Sequence, residues 1–390
     1  MIGEHMKKLA LGIMSGTSLD GIDCLIAEIE GTSTHTKIKP IAFKTYPFEE
    51  KLLNSIKRAF TNDQSSSALL CSLNFELGEA FASAAKRLVE EAHLKMDDID
   101  FIASHGQTIY HIAEPSDGFI KSSLQLGEGA VIANLCNTTV VSNFRTADIA
   151  AGGQGAPLVP FADYILFTSP LRSRAIHNIG GIANQTVLPK AGRLDDVFAF
   201  DSGPGNMMID YAMKTLYGKP FDQNGDIAKS GSIISSMMNE LFNNPYFKKI
   251  PPKSTGRELF GDSYTDMIIK KYEHHEKKDI ISTLTHFTSR TIIDSYKDFV
   301  FPKIQLDEII FSGGGSYNSF LIETIASGLP GISIRKLEDL GYDSASKEAL
   351  AFIILGNETL NHQPSNVKSA TGAKKHVILG QINDVFKGND

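Results

Sequence analysis

One plan of elements occurs twice along this chain, and that duplication constrains the fold more than any single motif does. Lys8 to Met14 is an apolar run of strand length. The turn Ser15-Gly16-Thr17-Ser18-Leu19-Asp20-Gly21 and two further strands, Ile22 to Ile29 and Lys37 to Tyr46, follow it. Helices are predicted over Phe48 to Phe60 and Ser65 to His93, the second with Leu73, Leu77, Phe81 and Leu88 on one apolar face. Ile99 to Ala103 then reads as a buried strand ending at Ser104-His105-Gly106-Gln107-Thr108. The second half repeats the order. Strands Arg174 to Asn178, Ile182 to Leu188 and Val197 to Phe200 precede helices that include Ile281 to Phe299. A buried strand, Glu308 to Phe311, ends at Ser312-Gly313-Gly314-Gly315-Ser316. Later come helices over Tyr317 to Ala326 and Tyr342 to Leu360, the latter with Asp343 or Ser344 as cap, and a short strand at Val377 to Leu379. Two such α/β halves are expected to face each other across a cleft.

A chain of 390 residues fits two or three domains, and its composition is that of an ordinary globular protein. The division is expected at 145/146: residues 1–145 form an N-terminal lobe and 146–390 a C-terminal lobe. The last ~25 residues are expected to pack back on the N-terminal lobe. A net charge of −7 argues against a nucleic-acid partner, since phosphate neutralisation needs a basic excess. Cys24, Cys71 and Cys136 are scattered and odd in number, which points to a reducing compartment. Met1 to Lys8 lacks the apolar core of a signal peptide, and no apolar run approaches the ~20 residues of a membrane span. No membrane association and a cytoplasmic location are expected.

Several stretches can carry chemistry. Asp201 falls where the Val197 to Phe200 strand is predicted to end, before the turn Gly203-Pro204-Gly205 and a helix beginning near Asn206. A carboxylate there could hold Mg2+ or take a proton, with turn amides and the helix dipole favouring an anion; it could also merely cap the turn. Gly16-Thr17-Ser18 offers amides and hydroxyls suited to phosphate oxygens, or is an ordinary hairpin turn. Asp20 and Asp23 flank it, as Mg2+ or sugar-hydroxyl ligands. No Walker P-loop occurs. The three glycines Gly313, Gly314 and Gly315 let a flat nucleoside lie against the backbone, or form a flexible link. Arg145 and Asp148, in a loop with Gln154, suit a carboxylate or a sugar oxygen, or form an interdomain salt bridge. Glu348 is either a surface acid or a cleft acid. His105 and His111 stand six apart with no further ligand spacing, so packing or substrate hydrogen bonding is favoured over a metal. Lys270 to Lys278 is read as a solvated helix face.

Together these motifs resemble the 1,6-anhydro-N-acetylmuramic acid kinase family, within the sugar-kinase, heat-shock-ATPase and actin superfamily. The match runs from Leu11 to about Leu360. Its motifs are Gly12 to Asp23, Ser104 to Thr108, Asn143-Phe144-Arg145 to Asp148, Gly152 to Leu158, Asn178 to Asn184, Phe200 to Asn206 and Ser312 to Gly315, none of them broken.

The resemblance implies two duplicated RNase H-like lobes and a reaction in which ATP and water open the 1,6-anhydro bridge and phosphorylate O6. The product is N-acetylmuramic acid 6-phosphate, formed in peptidoglycan recycling. Asp201 is implied as the general base. ATP and Mg2+ are the implied cofactors. The nucleotide would be held by Gly16, Thr17, Ser18, Leu19, Asp20, Gly21, Ile22, Asp23, Gly203, Gly313, Gly314 and Gly315, with Asp20 and Asp23 on the metal. Gln107, Arg145, Asp148 and Glu348 are implied on the sugar side, and a homodimer is expected.

Overall fold

Leu11 and Ile13 point to one face of the first strand, where they pack on Leu73, Leu77 and Phe81, and all five side chains are fully buried. Burial of each such side chain contributes about 1.5–3 kcal/mol. Gly12 points to the other face. A Cβ there would collide with the Ala349 carbonyl, so glycine lets the helix Lys347–Leu360 lie against the strand. The computed structural model describes residues 7–115 and 118–385.

The strands among these residues are β1 (Lys8–Ser15), β2 (Ile22–Glu30), β3 (Lys37–Tyr46), β4 (Phe101–Ile112), β5 (Ser122–Leu126), β6 (Val140–Ser142), β7 (Arg174–Ile179), β8 (Ile182–Leu188), β9 (Phe198–Pro204), β10 (Glu308–Ser312), β11 (Ser333–Lys336) and β12 (Gln381–Asn383). One sheet has the order β12-β6-β4-β1-β2-β3, with β5 paired to β4; the other has the order β11-β10-β7-β8-β9. In each, an antiparallel three-strand unit carries two parallel strands beside its first strand: β4 and β6 in one, β10 and β11 in the other. The duplicated RNase H-like plan is therefore present.

The duplication extends to a side-chain latch. Asp100 Oδ2 accepts from the Leu9 amide at 2.7 Å, and Asp307 Oδ2 from the Ser173 amide at 2.7 Å. The same two acidic residues return their own amides to the Leu9 and Ser173 carbonyls. Each acid thus fixes the register of a central parallel strand at its start.

Five helices matter below: α1 (Ser67–Glu91), α2 (Met207–Tyr217), α3 (Lys277–Ser295), α4 (Ser319–Gly328) and α5 (Lys347–Leu360). α1 begins where Ser66 accepts from the Leu69 amide at 3.1 Å. α5 begins later than its predicted start at Tyr342. The Ser344 amide is held by Glu338, and the flanking residue is Ser346.

The chain divides into two compact units. One holds the described residues through Leu166 and those from Ala345 onward; the other is Phe167–Ser344. The expected division at 145/146 is displaced because Asp148 bonds Asn366 and Thr371, which keeps the loop after Arg145 in the first unit. The tail enters the same unit through β12, antiparallel to β6. The terminal strand lies at Gln381–Asn383 rather than at Val377 to Leu379.

Two strands run further than expected. β4 continues through Ser104–Thr108 to Ile112 because β5 pairs with it. β9 continues past Asp201 to Pro204 because Ile182, Ala183 and Asn184 pair with it across a bulge.

Candidate active site

Asp201 lies inside β9, not at its end. Its amide donates to the Lys253 carbonyl at 3.0 Å, and its own carbonyl accepts from the Tyr246 hydroxyl at 2.6 Å. The Thr255 amide donates to Asp201 Oδ2 at 2.8 Å. One segment, 246–255, therefore grips both the backbone and the side chain of Asp201. Burial pushes the Asp201 carboxyl up to about 7 against the pull of the Thr255 amide; Glu258 adds to the rise and Lys253 opposes it. Lys253 is itself buried. Its ammonium lies 4.6 Å from the centre of the Tyr246 ring and 4.8 Å from that of Phe299. Burial lowers it to about 8, with Asp298 and Asp201 opposing. A carboxyl that is half-buried and poised near neutral pH can accept a proton from a bound hydroxyl or water.

The turn amides do not form the anion site expected beside Asp201. The amides of Gly205 and Asn206 donate to the Gly181 and Gly180 carbonyls at 2.8 Å each, and the Met207 amide to Gly181 at 3.2 Å. Gly203 sits at φ 153° with a prospective Cβ 3.1 Å from Phe247, so its role is packing.

The three glycines after β10 divide by role. Gly313 has φ 80°, and a Cβ there would press on Asn178 and Ile179; a Cβ on Gly315 would collide with Ile179. Gly314 alone faces open space, its nearest neighbour being Asn206 Nδ2 at 3.6 Å from a prospective Cβ. Gly314 lines a cavity of about 330 Å³ together with Asn206, Asp210, Phe221, Tyr317 and Asn318. That volume lies in the range of about 300–1,000 Å³ usual for small-ligand pockets.

In the first unit, Gly16 to Leu19 close the β1–β2 turn, with the Leu19 amide on the Gly16 carbonyl at 3.3 Å and Leu19 at φ 61°. Thr17, Ser18 and Asp20 are exposed, and Gly16 meets only Ser18. Gly21 is required where it stands, since a Cβ would lie 2.7 Å from the Tyr46 carbonyl oxygen. Ile22 is a buried strand residue.

Gln107 is not available to a sugar. Fully buried, it accepts from the Ser15 hydroxyl at 2.5 Å and donates to the Gly16 and Thr108 carbonyls at 3.2 Å each. It braces the β1–β2 turn against β4. Asp148 is likewise internal: Oδ2 accepts from the Gly155 amide at 2.8 Å, while Oδ1 accepts from Asn366 and Thr371. Arg145 and Asp148 thus meet through Gly155, whose amide donates to Asp148 and whose carbonyl accepts from Arg145. Arg145 donates to the Gly155 carbonyl and to His105 Nε2, both at 2.7 Å. His105 must then carry its proton on Nδ1, which donates to the Gly106 carbonyl at 2.8 Å. Burial and the Arg145 charge hold His105 down at about 3, so it is a neutral support for Arg145. His111 bonds the Ser123 hydroxyl at 2.8 Å. Glu348 stands next to the buried Lys347–Asp163 ion pair. Its carboxyl is raised by loss of bulk water and by Asp23, with Lys347 and Arg145 opposing.

The sequence profile described as anhydro-N-acetylmuramic acid kinase matches residues 8–384. This chain belongs to that family. It is 57% identical over 376 residues to the anhydro-N-acetylmuramic acid kinase of Francisella tularensis subsp. novicida, covering 96% of this chain and 98% of the relative. It is 49% identical to that of Bacillus cereus strain Q1, covering 95% and 98%. Among solved structures it is similar to the activator of 2-hydroxyisocaproyl-CoA dehydratase from Clostridium difficile with bound ADPNP. There the TM-score is 0.44 and the identity 13%, covering 90% and 93%. As a member of the kinase family, the protein is a phosphotransferase with an alcohol acceptor.

A nucleotide-bound Mg2+ needs only one or two protein carboxylates. Among the described residues no group of three or more His, Cys, Asp or Glu could hold a metal by itself. Exposed Asp20, beside Thr17 and Ser18, fits the smaller requirement; Asp23 accepts from Thr45 Oγ1 at 2.5 Å and fits it less well. No described helix is long and apolar enough to cross a membrane.

Sequence reasoning did not single out Tyr246, Lys253 and Thr255 around Asp201, or Asp210 and Phe221 on the cavity beside Gly314. The polar run Lys253-Ser254-Thr255-Gly256-Arg257-Glu258 was the available signal, since such a run inside an apolar chain needs partners.

Proposed function

We propose that this kinase-family protein uses ATP and water to convert 1,6-anhydro-N-acetylmuramic acid to N-acetylmuramic acid 6-phosphate and ADP. A water molecule attacks the anomeric carbon and gives its proton to Asp201. The bond from that carbon to O6 breaks, and O6 takes the γ-phosphoryl group as ADP leaves. The observation that carries this reading is Asp201 itself: its carboxylate is held by the Thr255 amide, its backbone carbonyl by the Tyr246 hydroxyl, and its carboxyl is lifted toward neutrality by burial.

In this reading the Gly16 to Ser18 turn receives phosphate oxygens, the Gly314 pocket takes the nucleoside, and Arg145 and Glu348 serve the sugar. Asp20 would hold Mg2+, which would supply charge neutralisation on the phosphates. Gln107, His105 and Asp148 hold these groups in place from behind. The protein acts in the cytoplasm, in peptidoglycan recycling, as a homodimer.

ADP release is measured with ATP and Mg2+, with and without the anhydro sugar. Strong dependence on the sugar, with 18O from water at the product's anomeric position, supports the reading. Transfer without 18O incorporation identifies a kinase for a free hydroxyl. ADP release indifferent to the sugar identifies a nucleotide-switch ATPase.

A further inference from the structure

The cavity beside Gly314 is lined by two acids that the reaction does not use, Asp210 and Asp222, and the fold engages only the second. Asp210 lies on α2 one turn beyond Asn206, its amide donating to the Asn206 carbonyl at 2.8 Å. Its carboxylate lines the cavity and accepts no hydrogen bond from any described residue. Three other polar side chains there are engaged. Asp222 accepts from the Ile227 and Ala228 amides at 3.0 and 2.9 Å, and Asn318 caps α4 through the Leu321 amide at 3.0 Å. Asn206 Nδ2 donates to the Ile179 carbonyl at 3.4 Å. Two aromatic side chains on the same cavity, Phe221 and Tyr317, are each left 51% exposed. Large aromatic surfaces open to a cavity suit a flat ligand, and an unpartnered carboxylate suits a pair of hydroxyl donors.

We infer that Asp210 reads the ribose of the nucleotide, accepting hydrogen bonds from its 2′- and 3′-hydroxyls, while Phe221 and Tyr317 hold the base by their ring faces. The inference rests on reading ATP as the phosphate donor. A carboxylate is an acceptor only, so it discriminates by the presence of hydroxyl protons. Burial alone raises Asp210, to about 7, and no neighbouring charge satisfies it. Ligand hydroxyls would complete an acid that the fold leaves incomplete. A site built around such an acceptor rejects a ligand lacking the donor, because the polar group is then left unpaired.

Calorimetric titration of the full chain with ATP, 2′-deoxy-ATP, 3′-deoxy-ATP and ITP, each with Mg2+, tests this. A hydrogen bond to a charged group corresponds to about a tenfold to hundredfold change in affinity. The wild-type protein is expected to bind each deoxy analogue at least tenfold more weakly than ATP. Asp210→Ala, with an unchanged melting temperature, is expected to bind ATP and both deoxy analogues alike. Equal wild-type affinity for ATP and the deoxy analogues overturns the ribose assignment without touching the ATP reading, and it does so without any variant. Discrimination that persists in Asp210→Ala also overturns it. So does a variant that loses only the preference for ATP over ITP, which would move Asp210 to the base. A wild-type protein that binds no ATP overturns both readings.

Discussion

The Thr255 amide donates to Asp201 Oδ2 at 2.8 Å, across 54 residues of sequence. One oxygen of the carboxylate is thereby fixed in direction. Because the Tyr246 hydroxyl and the Lys253 carbonyl hold the backbone of the same residue, the carboxylate is positioned by its own loop rather than by the sheet alone.

Replacing that carboxylate tests the proton-acceptor role. Asp201→Asn keeps the size and the oxygen that faces Thr255 but cannot take a proton. Turnover is expected to fall by about 10²–10⁴-fold or more, the usual worth of a general base, while ATP affinity is unchanged. Steady-state kinetics and calorimetry check the two halves. Near-normal turnover would remove Asp201 from the base role. In the wild type, kcat/KM should rise with pH through about 7 as Asp201 ionises.

The same carboxyl links stability to pH. Its folded-state value of about 7 exceeds the ordinary 3.8, so the native state holds a proton that the unfolded chain releases. Its contribution is fully present below the ordinary value and is lost as pH rises toward 7. Asp201→Asn, which has no such proton to lose, is expected to melt higher than the wild type at pH 8 and to converge with it at low pH. Melting curves across that range decide the point; parallel curves would mean that burial does not raise Asp201.

The glycines after β10 should separate in experiment. Gly314→Val places methyls in the cavity, so ATP affinity is expected to fall at least tenfold with the melting temperature nearly unchanged. Gly315→Val forces Ile179 aside and is expected to cost about 1–3 kcal/mol of stability, as overpacking does. Paired melts and titrations distinguish them. Unchanged ATP affinity in Gly314→Val would place the nucleoside elsewhere.

Much of this was legible because duplication leaves a pattern that survives weak identity. An acidic turn, a short apolar strand, a serine and a glycine loop occur at 96–106 and 305–314, and the Asp100 and Asp307 latches are the physical content of that match. The strand cores were placed to within a few residues, because buried strands read as continuous apolar runs. The continuation of β4 and the whole of β5 were not, because Ser104 to Thr108 and Ser122 to Gln125 are polar and gain order only by pairing with each other. The glycine loop was visible, but not which glycine faces the cavity, since that depends on Ile179 in another strand. Gln107 and Asp148 carry the side chains of a binding site, and sequence alone cannot tell an acid whose oxygens are already bonded from one that waits for a ligand.

Asp148 makes that difference measurable. It is fully buried and accepts from Gly155, Asn366 and Thr371. Asp148→Ala leaves these donors unpaired, at about 1–3 kcal/mol for each buried group. A large drop in melting temperature is expected, followed by a rise in KM for the sugar as the Arg145 loop loosens. A variant with wild-type stability and only a raised KM would instead make Asp148 a direct sugar contact.

Lys253 offers the most specific test of how the loop tunes Asp201. Its ammonium is flanked by the rings of Tyr246 and Phe299 and faces Asp298 and Asp201, with Lys249 opposing it and Glu258 also near Asp201. A cation there favours the ionised carboxylate. Lys253→Met keeps the chain against the rings and removes the charge. The acidic limb of kcat/KM is then expected to move to higher pH, because Asp201 holds its proton more tightly. A residue that acted only through packing would lower activity equally at every pH, so an unmoved limb would assign Lys253 to structure alone.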